Sequence, residues 1–394
     1  MPIWQPVRVC PCLPWQKRKN PMNELVLFDE IATTAGMRLG VATLNAEKAL
    51  NALNLDMIRL LDARLSIWDA DDGIAAVLLR GAGDKAFCAG GDVRALRDAL
   101  LADDCYPNPV AEDFFTREYA LDYRIHTYRK PLLVWGSGIV MGGGLGLMAG
   151  ASHRVATAST RIAMPEITIG LYPDVAGSWF LQRMPAKSGL FLGLTGAPLN
   201  ARDALLANLA DHILPQGGWD TLLAAMAASH WQSDPAANHA RLTALLGELE
   251  NLNADSVADS ALQRNLPAIH TLMNKGSLHA IDHALRHTAF EDPWLAAAAK
   301  TYLAGCPASA AVTWEIFRRA RHLSLAEVFR MELALSLNFC AGPEFREGVR
   351  ALLVDKDRQP KWARPTLADV DSHTVAGHFT QPWRAADHPL AALA

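Results

Sequence analysis

Three consecutive glycines, Gly142-Gly143-Gly144, restrict this chain more than any other feature. They follow Pro131-Leu132-Leu133-Val134-Trp135, an apolar run closed by Gly136 and Gly138 that predicts a short buried strand entering a turn. Adjacent glycines make a poor helix interior. Leu145-Gly146-Leu147-Met148-Ala149 therefore predicts a helix that starts among them and leaves its first-turn N–H groups approachable. Such a terminus attracts negative charge. A second turn, Gly90-Gly91, falls between an apolar strand expected over 74–79 and a helix expected to begin near Asp92. Two turns with free N–H groups, from separate parts of the chain, can together hold one oxygen whose charge grows during a reaction.

Farther on, Pro165-Glu166 and Pro173-Asp174 repeat one device, an acid placed directly after a proline whose fixed φ stiffens the backbone. The neighbours of both acids are apolar, and a carboxylate in apolar surroundings must be paired, neutralised or used. A third acid stands out in the helix predicted over 112–128, whose apolar face carries Phe114, Leu121, Ile125 and Tyr128. Glu118 lies on that same stripe, at a position that should be buried. An ion pair with Arg117 or Arg124 is the structural reading of it.

Several function classes are disfavoured by the rest of the chain. A net charge of −4 and a pI near 6.3 argue against a general binder of nucleic acid or anionic membrane. No charge-free apolar stretch of about 20 residues offers a membrane span. Six scattered cysteines, without a C-x-x-C pair or a histidine cluster, suit a reducing, cytoplasmic setting and speak against a structural metal site or disulfide framework. Cys88 lies in a key turn but has no histidine beside it, so it reads as a small buried residue. Residues 144–149 fit G-x-G-x-x-A, yet residues 136–143 intervene between them and the strand, where a dinucleotide fingerprint would follow directly. The G-x-S-x-G pattern of a serine hydrolase is missing around Ser137, Ser152 and Ser178.

Taken together, Ala86-Phe87-Cys88-Ala89-Gly90-Gly91-Asp92, the glycine cluster from Met141 to Gly146, and Met164-Pro165-Glu166 through Gly170-Leu171-Tyr172-Pro173-Asp174-Val175-Ala176-Gly177 resemble the crotonase (enoyl-CoA hydratase/isomerase) superfamily. Within it they are most similar to the 3-hydroxyisobutyryl-CoA hydrolases. The similarity runs from about Glu24 to Trp362. It includes Phe345-Arg346-Glu347-Gly348-Val349-Arg350-Ala351, then Asp355-Lys356-Asp357 and Pro360-Lys361-Trp362. The resemblance implies an α/β fold, a crotonase-like spiral of repeated ββα units with a C-terminal helical region. The expected organisation is a disordered leader over 1–22, a spiral core with the acyl-CoA site over 23–215, a helical region completing that site over 216–363, and a loosely packed tail over 364–394.

The same resemblance assigns roles. The N–H groups of Gly91 and Gly143 match the family's oxyanion hole. Glu166 stands at the position of a catalytic glutamate of the family, Asp174 offers a second catalytic acid on its other side, and Glu118 joins Gly143, Glu166 and Asp174 as a substrate contact. Lys48, Ala49, Ala89 and Asp92 would lie against coenzyme A. Hydratases of this superfamily use a second glutamate at the end of the glycine cluster, where this chain has Gly146. That departure favours hydrolysis over hydration, because addition of water would lack one of its two proton carriers. The expectation is hydrolysis of a short branched 3-hydroxyacyl-CoA, in particular 3-hydroxyisobutyryl-CoA to 3-hydroxyisobutyrate and free coenzyme A, as in valine degradation. No metal or cofactor is expected beyond the coenzyme A of the substrate. No nucleic-acid or membrane partner is expected either, and self-association stays open. An enoyl-CoA hydratase/isomerase is the alternative, and a catalytically silent crotonase-like binding protein a second one. Whether Glu166 acts as base or nucleophile is left open by the sequence.

Overall fold

A computed structural model describes residues 25–250 and 257–394, so the leader expected over 1–22 lies outside the described residues. Among the described residues nine strands form two sheets. β1 (Val26–Ala32) and β2 (Arg38–Leu44) make an antiparallel hairpin. β3 (Ile74–Gly81), β4 (Ala86–Cys88), β5 (Leu132–Gly136), β6 (Ile139–Met141), β7 (His153–Ala156), β8 (Arg161–Ala163) and β9 (His212–Ile213) follow. The larger sheet runs in the order β1-β2-β3-β5-β7-β9, and the smaller in the order β4-β6-β8. Every pairing other than β1 with β2 is parallel. Each turn of the chain thus gives one strand to the large sheet and the next to the small one, three times over. This is the spiral of ββα units. The apolar composition of β3 and β5 follows from it, since a parallel strand is covered on both faces.

The helices of the spiral are α1 (Leu55–Ala70), α2 (Val93–Ala102), α3 (Pro109–His126) and α4 (Gly143–Ala149). Asn54, Asp92 and Asn108 cap the first three with side-chain oxygens that accept first-turn N–H groups. Met57, Leu61, Leu65 and Trp68 of α1 are buried against the inner face of the large sheet. Three short helices, α5 (Gly177–Phe180), α6 (Ser188–Thr195) and α7 (Ala201–Leu206), lead to β9.

The large sheet also has an outer face, and the next two helices cover it. α8 (Trp219–Ala228) and α9 (Pro235–Glu250) bring Trp219, Leu222, Met226 and Leu242 onto Leu39, Val41, Leu78 and Trp135. The remaining helices, α10 (Ala261–Met273), α11 (Leu278–His287), α12 (Pro293–Ala304), α13 (Pro307–Arg319), α14 (Leu325–Ala341) and α15 (Pro343–Val349), pack on the inner side. α14 is the most deeply set, with Val328, Phe329, Leu333, Leu335, Leu337 and Phe339 all buried. Burying such side chains contributes on the order of 1.5–3 kcal/mol each. That is enough to offset two polar residues on the same helix, Glu332 and Ser336, which have no solvent exposure.

The final stretch departs from the expected loose tail. α16 (Ser372–His378) and the residues after it dock on α14 and α3. Asn338 donates to the carbonyls of His378 and Thr380 at 2.9 and 2.8 Å, and Trp383 donates its indole N–H to Glu112 at 2.7 Å. Arg330 donates to the Leu393 carbonyl, and Leu390 is buried. The polar composition that suggested a loose tail conceals backbone carbonyls satisfied by side chains of other helices.

Candidate active site

Residues 46–53 and 88–92 are joined edge to edge, which fixes the first glycine turn. Ala89 donates to the Leu50 carbonyl at 3.1 Å, Leu53 to the Gly90 carbonyl at 2.8 Å, and Asp92 to the Leu53 carbonyl at 2.8 Å. Gly90 has φ +112, a conformation that requires glycine. The second turn enters α4 through Gly142 at φ +48. The two turns meet: the amide nitrogen of Gly91 is 3.5 Å from the place a Cβ on Gly143 would occupy. Neither Gly91 nor Gly143 donates its N–H to an acceptor among the described residues. The two glycine turns therefore lie against one another.

Acids surround the pair. A Cβ on Gly143 would run into Oε1 of Glu118, and one on Gly142 would stand 3.1 Å from Oε1 of Glu166. Glu166 opens a single 3₁₀ turn, Glu166–Ile169, closed by Gly170 at φ +68. α15 fixes this turn from behind. A Cβ on Gly348 would strike the Ile169 backbone, and one on Gly170 would strike the Glu344 carbonyl. The Phe345-to-Ala351 motif thus acts through contact, holding the backbone that carries Glu166.

Asp174 is presented by a turn in which Val175 and Ala176 both have left-handed φ, +50 and +67. A β-branched residue there is an outlier whose strain costs on the order of 1–3 kcal/mol. Oδ2 of Asp174 accepts a hydrogen bond from the Tyr119 hydroxyl at 2.7 Å, and that hydroxyl also lies 2.6 Å from Oγ of Ser336.

Glu118 is not held by the ion pair that its neighbours offered. Arg117 pairs with Asp113 and Arg124 with Asp62, each at 2.6 Å, and Oε1 of Glu118 is buried without a partner. One turn along α3, Asp122 is buried with neither oxygen partnered. Glu166 has one such oxygen too, Oε2. Burial raises the pKa of Glu118, Glu166 and Asp122 well above the ordinary carboxylate range, and neighbouring carboxylates add to the rise. Asp174 is pushed up less, to about 6, since burial raises it while the Tyr119 hydroxyl stabilises its charge. The thiol of Cys88 is pushed up by burial to about 12, so it stays protonated beside the turn.

Gly146 decides what cannot enter. A Cβ there would come within 2.6 Å of Val175 Cβ and 3.0 Å of Asp122 Oδ2. The place of a second glutamate is thus filled by an aliphatic side chain and another acid. Lys48 and Ala49 are exposed on the 3₁₀ turn Glu47–Ala49, adjacent to the Leu50 carbonyl that Ala89 bonds, so these three residues share one edge of the site. The Asp92 side chain caps α2 through Ala95, leaving its backbone to face that edge. Two surface cavities, of about 480 and 190 Å³, lie elsewhere and include none of these acids. Among the described residues no group of three or more His, Cys, Asp or Glu could hold a metal ion, and no helix is long and apolar enough to cross a membrane.

The structure brings together the glycine turns, Glu118, Glu166 and Asp174, which the sequence singles out. It adds Asp122, Tyr119, Glu332 and Ser336, which the sequence does not. Asp122 follows Glu118 by one helical turn, and Glu332 and Ser336 have the same spacing inside the apolar run of α14, so polar pairs on a buried stripe were the available signal.

Fold and site define an enzyme of the crotonase type, with two glycine turns packed together beside buried carboxylates. A model of the enoyl-CoA hydratase/isomerase family matches residues 39–379, and the chain belongs to that family. It is 39% identical over 355 residues to a protein of Danio rerio named 3-hydroxyisobutyryl-CoA hydrolase, mitochondrial, covering 90% of this chain and 89% of that one. Proteins of the same name in Xenopus tropicalis and Homo sapiens are 38% and 35% identical, over 91% and 86% of this chain and 90% and 86% of theirs. Two solved structures share the fold across 91% of this chain. One, titled a carnitinyl-CoA dehydratase from Mycobacterium thermoresistibile, is 36% identical over 97% of its length, with a TM-score of 0.79. The other, titled an enoyl-CoA hydratase from Rhodobacter sphaeroides 2.4.1, is 31% identical over 98% of its length, with a TM-score of 0.77.

Proposed function

We propose that this chain hydrolyses the thioester of 3-hydroxyisobutyryl-CoA, giving 3-hydroxyisobutyrate and free coenzyme A, the reaction named for its relatives and a step of valine degradation. The observation that carries the reading is the filled space at Gly146, where Val175 and Asp122 stand in place of a hydratase's second glutamate. The thioester oxygen sits between the N–H groups of Gly91 and Gly143, and removing one such donor costs about 3 to 4 kcal/mol of transition-state stabilisation. Glu166, made basic by burial, takes a proton from water as the hydroxyl adds to the carbonyl carbon. Alternatively its carboxylate adds directly, giving a mixed anhydride that water then opens. In both routes the C–S bond breaks with departure of the coenzyme A thiolate, whose ordinary pKa of about 8.5 makes it a good leaving group. Asp174 and Glu118 orient the 3-hydroxyl and the water. Lys48, Ala49, Ala89 and Asp92 border the coenzyme A. The mechanism needs no cofactor beyond the substrate's own.

A second reading, hydration of an enoyl-CoA, is favoured by the titles of the two solved structures. Thiol release separates the two. Purified protein is expected to liberate coenzyme A from 3-hydroxyisobutyryl-CoA much faster than it hydrates crotonyl-CoA, and rapid hydration without thiol release would establish the second reading instead. A cytoplasmic location and self-association belong to the same proposal. The location is supported by Cys88, Cys105, Cys306 and Cys340 all being free thiols.

A further inference from the structure

Asp174 depends on a backbone turn that would not hold itself. Val175 and Ala176 lie in succession at φ +50 and +67, and neither is a glycine. Local bonds satisfy its carbonyls: Gly177 N–H donates to the Asp174 carbonyl at 2.6 Å, and the N–H groups of Trp179 and Phe180 donate to the Ala176 carbonyl at 2.8 and 3.0 Å. The N–H groups of Ala176 and Ser178 are satisfied from outside the turn. Glu332, on α14 and more than 150 residues away in sequence, accepts the N–H of Ala176 on Oε2 at 2.8 Å and the N–H of Ser178 on Oε1 at 3.1 Å. Its carboxylate has no solvent exposure and no cationic partner among the described residues. The same helix grips the flanks of the turn: the Tyr172 hydroxyl donates to the Glu332 carbonyl at 2.7 Å and lies 2.9 Å from Ser336, which meets Tyr119, the donor to Asp174.

A buried, unpaired carboxylate is a poor choice for stability alone, since an apolar side chain of similar volume generally serves a core better. What it supplies is two acceptors fixed at the spacing of two backbone N–H groups. We propose that Glu332 is a positioning residue, whose carboxylate clamps the left-handed Val175-Ala176 turn and thereby aims Asp174 into the site beside Glu166. It touches no reacting atom. The proposal rests on the reading of Asp174 as part of the thioester-hydrolysing site.

Glu332→Gln tests it, because the amide keeps the shape but replaces one acceptor with a donor facing an N–H. Thiol release is expected to fall about 100-fold in kcat, the effect of a misplaced catalytic group, with KM little changed. Amide hydrogen exchange over residues 174–179 is expected to quicken in the variant, a readout that needs no substrate. Adding Ala176→Gly should restore about tenfold of the lost kcat, since glycine adopts the left-handed conformation without strain and needs no clamp. A merely structural glutamate would not be rescued this way. Wild-type kcat with unchanged exchange in Glu332→Gln, or a folded double variant that recovers nothing, overturns the proposal. If the single variant does not fold, the double variant decides: folded and active supports the clamp, unfolded overturns it. Absence of thiol release by the wild-type protein would remove the reaction reading on its own, and hydrogen exchange would still decide the clamp.

Discussion

Two acid-rich regions of this molecule, one around Arg350 and one buried in the core, treat the same side chains in opposite ways. On the outer side, Arg350 is a hub: its guanidinium bonds Glu347 at 2.8 Å, Asp355 at 2.5 Å and Asp357 at 2.7 Å. The guanidinium holds Glu347 and Asp357 below their ordinary pKa values. Lys361 N–H adds a further bond to Glu347 at 2.6 Å, and the loop over 355–361 is closed. On the inner side, Glu118, Asp122, Glu166, Asp174 and Glu332 are buried with no cation paired to them among the described residues, and all five are raised. Partnership and desolvation set the chemistry of a carboxylate, while its identity does not. The outer acids shape a loop. The inner ones hold their protons more tightly than an ordinary carboxylate.

The largest expected effect comes from neutralising the inner acids. Glu166→Gln and Asp174→Asn remove charge at constant shape, and each should lower kcat for thiol release by about 100- to 10,000-fold, the range for a lost acid–base group. Circular dichroism should remain that of the wild type, and full turnover in either variant would exclude that residue from the chemistry.

Next in size is the oxyanion turn. Gly143→Ala puts a methyl group into the position of Glu118 Oε1 and beside the Gly91 N–H. Activity should fall by about 100-fold or more, comparable to the loss of one oxyanion donor. The outer region gives the contrasting result: Arg350→Gln should loosen the 355–361 loop, read as faster hydrogen exchange there, while kcat stays within about tenfold of the wild type. A loss as large as that of Glu166→Gln would erase the distinction between the two regions.

The difference also explains what the sequence could reveal. Gly90-Gly91, Gly142-Gly143-Gly144, Pro165-Glu166 and Pro173-Asp174 were legible because each is a local backbone device. Glu118 was legible because one helix sufficed to place it on an apolar stripe. Its lack of an ion pair was not, since Arg117 and Arg124 turn toward Asp113 and Asp62, and nothing local reports that choice. Glu332 and Ser336 were hidden for a related reason. Their meaning depends on Ala176, Ser178 and Tyr172, which only the tertiary fold brings to α14. The docking of α16 was hidden as well, because composition does not show that Asn338 satisfies two carbonyls of that segment.

The smallest expected effect is on stability, and its sign follows from Asp122. Its ordinary pKa of 3.8 is raised in the folded protein, first by burial and then by Glu118 and Asp174. A group raised in this way binds its proton more tightly when folded. Its contribution is fully present below pH 3.8 and is lost as pH rises through the raised value. Asp122→Asn carries no such proton, and its amide N–H groups can donate to the carboxylates nearby. The variant should therefore melt close to the wild type at pH 4 and gain on it steadily toward pH 9, by a few degrees in Tm. Melting curves taken across that range decide the matter: a difference that does not change with pH would mean that Asp122 has a partner, and that the inner acids are less alike than their shared burial implies.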